Sequence, residues 1–121
     1  MSLQSCYIAL EGDYNDVIGR LRPERLVQKF VLKFLNDPSF DLLCKSLEEK
    51  DYGEAFRASH TIKGVCQNLS FTKLYQSSHA LTEALRNGWS PEAEGLIGQV
   101  KADYQQTVDA IQAFQAENGV V

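Results

Sequence analysis

His60, Lys63 and Gly64 stand at i, i+3 and i+4 within the stretch from Phe56 to Ser70, and together they can do chemistry. An imidazole that titrates near neutrality presents a lone pair at physiological pH, so it is a nucleophile wherever water and a partner can reach it. On a helix turning about 100° per residue, Ala55, Ala58, Ser59, Ile62, Cys66 and Leu69 form one small and apolar stripe, and His60 points roughly opposite Ile62. Lys63, Gly64 and Gln67 share the outward face with His60, with Gly53 and Arg57 a turn or two earlier. Lys63, with Arg57 at i−3, places positive charge beside whatever the ring carries, such as a phosphoryl group of about −1.5 to −2 charge. A glycine inside a helix costs about 1 kcal/mol relative to alanine. At position 64 its absent side chain clears the approach of a bulky donor to the ring, and the set reads as a docking site for a small dianion.

The pattern His60-x-x-Lys63-Gly64 on an outward helix face resembles the phosphoacceptor motif of histidine-containing phosphotransfer (HPt) domains, the intermediates of multistep His-Asp phosphorelays. The resemblance extends from about Leu26 to the C-terminus. It implies a four-helix bundle in which the histidine helix and its successor form an antiparallel hairpin. It also implies that His60 is phosphorylated, that Lys63 supports the phosphoryl oxygens, and that Gly64 clears the approach. Gln67 would contact a partner or the phosphoryl group, Arg86 would bring a basic group from the following helix, and Phe56 would be either a core edge or part of an apolar docking patch. The implied partners are receiver domains of response regulators or of a hybrid histidine kinase. The receiver would bring the divalent metal, while this chain would bind no cofactor and act as a carrier without catalysis of its own. Two positions depart from the family pattern. Ser70 stands where many members have glycine, and a side-chain cap is expected to replace the glycine conformation. His79 stands where many have a small or apolar residue, and it is expected at the boundary of the core. The rival reading is a helical adaptor that binds a receiver-like partner without being phosphorylated; retention of a nucleophile together with Lys63 and Gly64 favours the carrier.

The elements that must hold this site are helices separated by short punctuation. Residues 13 to 19 read as a short helix, and Pro23 suits the first turn of a longer one carrying Leu26, Val27, Phe30, Val31, Phe34 and Leu35 inward. Asp37-Pro38 starts another through Lys50, with Phe40, Leu43, Cys44 and Leu47 apolar. Asp51 caps the His60 helix, with Glu54 at capping-box spacing. Ser70 is expected to end that helix and cap the next, which carries Phe71, Leu74, Tyr75, Ser78, Leu81, Thr82 and Leu85 and stops at Asn87-Gly88. Ser90-Pro91 opens the last, with Leu96, Ile97, Val100, Tyr104, Val108, Ile111 and Phe114 as a heptad-like stripe. Connections this short make consecutive helices antiparallel. The expected fold is therefore all-α, an up-down antiparallel four-helix bundle with an additional short N-terminal helix: one domain over residues 1–121, with a leading segment 1–22 and a bundle 23–117.

Composition narrows the function classes. The 121 residues suit one domain with one core, and the apolar runs are too short to span a bilayer. A net charge of −4, with no basic run, argues against nucleic acid. Cys6, Cys44 and Cys66 are odd in number and lack Cys-x-x-Cys spacing, so they read as reduced thiols; with no signal-peptide pattern at the start, a cytoplasmic setting is expected. A metal-binding bundle would need inward Glu-x-x-His pairs, and the sequence has none.

Overall fold

A computed structural model describes residues 1–118; the last three residues of the expected 1–121 domain lie outside the described part. The described chain is all helical: α1 (Leu3–Leu10), α2 (Tyr14–Leu21), α3 (Glu24–Phe34), α4 (Ser39–Glu48), α5 (Tyr52–Leu69), α6 (Thr72–Leu85) and α7 (Pro91–Glu117). The principal packed pairs are α4 with α5, α5 with α6, α6 with α7, and α1 with α7.

The stripe expected on α5 is the buried one, residue for residue: Ala55, Ala58, Ser59, Ile62, Cys66 and Leu69. It lies against Leu74, Leu81 and Leu85 of α6, all within one core. Ser59 donates to the Ser78 carbonyl at 3.2 Å and shares a 2.8 Å bond with the Thr82 hydroxyl. Ser59 and Thr82 lie at nearly equal sequence distances from the Ser70–Phe71 turn, so the two helices run antiparallel. All buried polar side chains among the described residues have hydrogen-bond partners, consistent with the cost of leaving one unpaired. On α7 the core line is Ala93, Val100, Thr107 and Phe114, strictly seven apart, joined by Ala110 and Ile111, while Leu96, Ile97, Tyr104 and Val108 are half-buried beside it.

Helix α1 is an element that pattern reading leaves out. Its eight residues bury Leu3, Cys6, Tyr7 and Leu10, and the Tyr7 hydroxyl donates to the Leu69 carbonyl at 2.8 Å. The turn from α1 to α2 sits directly on the turn from α5 to α6. Asp13 N–H donates to Ser70 O at 2.8 Å and Lys73 N–H to Glu11 O at 3.3 Å. Gly12 makes this possible, because a Cβ there would meet Ser70 O at 2.6 Å and Tyr7 Cδ2 at 2.9 Å.

Several local expectations are corrected. Leu26 is 37% exposed rather than inward, because the buried edge of α3 is Val27, Val31 and Phe34. Pro23 and Pro38 occupy the N-cap positions just before α3 and α4, not the first helical turn. Ser70 does not cap α6, whose N-cap Phe71 makes no side-chain cap bond. Ser70 instead takes the left-handed conformation itself, with φ of 57°, and closes α5 through Ser70 N–H to Gln67 O and Phe71 N–H to Cys66 O. Glu11 and Lys50 end α1 and α4 with the same pair of bonds and the same positive φ.

Candidate functional site

His60 is the ninth of the eighteen residues of α5 and is exposed, as its place opposite the buried stripe requires. Asp51 anchors the start of the helix by accepting from Glu54 N–H at 3.1 Å. The other half of the expected capping box is missing, because the Glu54 carboxylate turns to Arg57.

Around the ring, Phe56 lies half-buried one turn earlier, its ring stacked on the imidazole with centroids 6.0 Å apart and planes 25° from parallel. From the C-cap of α6, the Arg86 guanidinium stands over the Phe56 ring, 5.3 Å from its centroid. Arg86 is paired with Glu83 through two bonds of 3.1 and 2.7 Å. The two arginines expected near the site are therefore both engaged by glutamates three residues earlier, Arg57 by Glu54 and Arg86 by Glu83. Lys63 is half-buried rather than fully exposed and takes part in no ion pair among the described residues, which leaves its ammonium free for an incoming anion. The Arg86 hydrogen bonds, then the Arg86 charge, hold the Glu83 carboxyl below the usual carboxylate range, with a smaller contribution from Lys63.

On the opposite side of His60, a Cβ added at Gly64 would meet nothing within 4 Å. The backbone there opens onto a hollow of about 470 Å3 bordered by Asp16, Arg20, Gly64, Gln67 and Asn68. Gln67 is exposed at its edge. Arg20 is the residue that sequence reasoning missed. It donates to Gln67 O at 3.4 Å, Asn68 O at 2.9 Å and Ser70 Oγ at 2.7 Å. Helix α5 has no basic residue in its last turn, so α2 supplies the cation that its C-terminal carbonyls favour. The Ser70 hydroxyl donates to Asp16 at 2.6 Å, and this bond, followed by that from Arg20, holds the Asp16 carboxyl below its usual range. No signal along the chain joins positions 20 and 70; the α1–α2 turn brings them together.

His79, expected at the boundary of the core, is instead exposed and stacked on Tyr75 at 5.7 Å. The cysteines are unpaired; burial pushes the Cys6 thiol up to about 11 and raises Cys66 further, so neither is poised as a nucleophile. Among the described residues no three His, Cys, Asp or Glu side chains gather as metal ligands, and no helix is long and apolar enough to cross a membrane. Among the described residues the site is thus an open imidazole with one free cation beside it, an aromatic shelf on one side and an unfilled approach on the other. The model of the Hpt domain family matches residues 35–113, which contain all of α4 to α6 and most of α7. No curated protein and no solved structure matches the chain.

Proposed function

Because the chain belongs to the Hpt family, whose members serve His-Asp phosphorelays as carrier modules, we propose that His60 is the phosphoacceptor and that this protein relays a phosphoryl group between receiver domains of response regulators or of a hybrid histidine kinase. The observation that carries this reading is the exposed imidazole at mid-helix, flanked by unpaired Lys63 and by the open space over Gly64.

In the proposed step, a receiver carrying an aspartyl phosphate settles over α5. The His60 Nε2 lone pair forms the N–P bond as the P–O bond to the aspartate breaks, and the electron pair leaves on the carboxylate. The imidazolium so formed returns a proton to solvent. Charge sits on the equatorial oxygens in a loose transition state, so the work is positioning and electrostatics. Lys63 meets those oxygens, Phe56 offers an apolar shelf, and Gln67 offers a polar contact at the rim. The receiver supplies its divalent metal; this chain supplies the nucleophile and a complementary surface in what we take to be a cytoplasmic relay. Transfer to a second receiver runs the same step backwards.

The test is incubation with a phosphorylated receiver followed by intact mass measurement. The expected result is an acid-labile, base-stable gain of one phosphoryl group that His60→Gln abolishes. A gain that survives the substitution would move the site, and no gain with several receivers would leave an adaptor in place of a carrier.

A further inference from the structure

Arg86 cannot serve a phosphoryl group while Glu83 holds it. Two N–H···O bonds tie the guanidinium to that carboxylate, one helical turn back on α6, and the remaining face of the guanidinium lies on Phe56. Phe56 is in turn stacked on His60. The two separations, 5.3 and 6.0 Å, bound the distance from the guanidinium carbon to the imidazole centre at about 11 Å. A phosphoryl group on Nε2 extends outward from the ring and shortens that span, and an exchange requires the arginine side chain to swing across what is left of it. The titratable groups surrounding this space are Arg57 and Lys63 from α5, His79 and Glu83 from α6, and Arg86 at its C-cap, with Arg57 occupied by Glu54.

We propose that Glu83 is a positioning residue that parks Arg86 over Phe56 in the resting protein, and that phosphorylation of His60 draws Arg86 from Glu83 to the phosphoryl oxygens. The inference rests on the phosphoacceptor reading of His60 and extends it to a specific exchange. Both pairings are charge-assisted and bidentate in kind, so the exchange trades one carboxylate for a dianion of greater charge. The pair is half exposed, which keeps the carboxylate's hold weak enough to be broken. In the resting state the Glu83–Arg86 pair is neutral as a unit and Lys63 is the cation beside the ring; the second cation reaches the ring only when there is charge to meet.

The experiment needs no partner protein. Phosphoramidate phosphorylates the whole chain: Nε2 forms the new P–N bond while the old one breaks, and ammonia leaves with its electron pair. The second ionisation of the phosphoryl group is then followed by 31P NMR. Glu83→Gln is expected to lower the phosphoryl midpoint by about 0.5 pH unit, the size appropriate to one partly exposed ion pair, and Arg86→Ala to raise it. The double variant E83Q/R86A should titrate like Arg86→Ala. A Glu83→Gln midpoint equal to that of the parent would overturn the exchange, and so would a double variant that keeps the whole drop, since removal of a negative charge would then suffice. If the parent takes no label on His60, the phosphoacceptor reading fails and the exchange with it. Label on His60 with coincident midpoints sinks the exchange alone.

Discussion

Gly64 offers the sharpest separation of stability from function. It sits inside α5, five residues before the helix end, with no heavy atom within 4 Å of where a Cβ would lie. Nothing in the fold requires glycine there, since there is neither a turn nor a close packing contact. Gly64→Ala should therefore recover most of the helix-propensity difference, about 0.7 to 1 kcal/mol, through both the helix and the unfolded chain. For a domain of this size that corresponds to a rise in melting temperature of roughly 3 to 5 °C. Gly64→Gln, another good helix former, should be at least as stable as the parent. Transfer from a phosphorylated receiver should move the other way. The added atoms occupy the approach one turn from His60, and a misplacement of about 1 Å can cost on the order of a hundredfold. A loss of about tenfold for Gly64→Ala and a larger one for Gly64→Gln are expected in kcat/KM. Phosphoramidate, a donor of a few atoms, should label both variants at the parental rate. Thermal melts by circular dichroism, receiver transfer and small-donor labelling make the comparison. A destabilised Gly64→Ala would refute the open helical placement; parental receiver transfer by Gly64→Gln would refute the steric account of the glycine.

The α5–α6 turn supports two further predictions. Ser70→Ala keeps the left-handed backbone but loses the bonds to Asp16 and Arg20, and should cost about 1 to 2 kcal/mol in urea unfolding; Ser70→Gly loses the same bonds but should recover about 1 kcal/mol of that by relieving the positive φ. Because the folded-state pKa of Asp16 is depressed, its contribution is complete above the ordinary carboxylate range and disappears as pH falls through the folded value. The stability gap between the parent and Asp16→Asn should accordingly be full at pH 7 and close below about pH 4; melts from pH 7 to 3 showing a constant gap would contradict it.

Much of the site could be read along the chain. The burial of α5 follows its 3.6-residue periodicity, and the outward face of His60, Gly64 and Gln67 is simply the complement of that stripe. The two Glu–Arg pairs at i, i+3 were equally local and could have been read from spacing, which would have removed Arg57 as a free cation at the start. Helix ends were harder. Glu11, Lys50 and Ser70 all take the left-handed position usually filled by glycine, so the common stop signal is missing at three boundaries. Helix α1 escaped because eight residues with two buried polar-capable side chains, Cys6 and Tyr7, carry too short a pattern to distinguish from a loop.

Local periodicity and capping, then, were enough to determine that this chain forms amphipathic helices, where the His60 helix begins, and which way its imidazole faces, because those properties depend only on neighbours a turn or two away. Tertiary structure alone decided that Arg20 closes the C-terminal end of α5, that Gly12 lets the α1–α2 turn rest on Ser70, and that Arg86 reaches across the hairpin to Phe56. Each of these joins residues about 30 to 60 positions apart, and such pairings are set by how the helices pack, for which no one segment carries a signal.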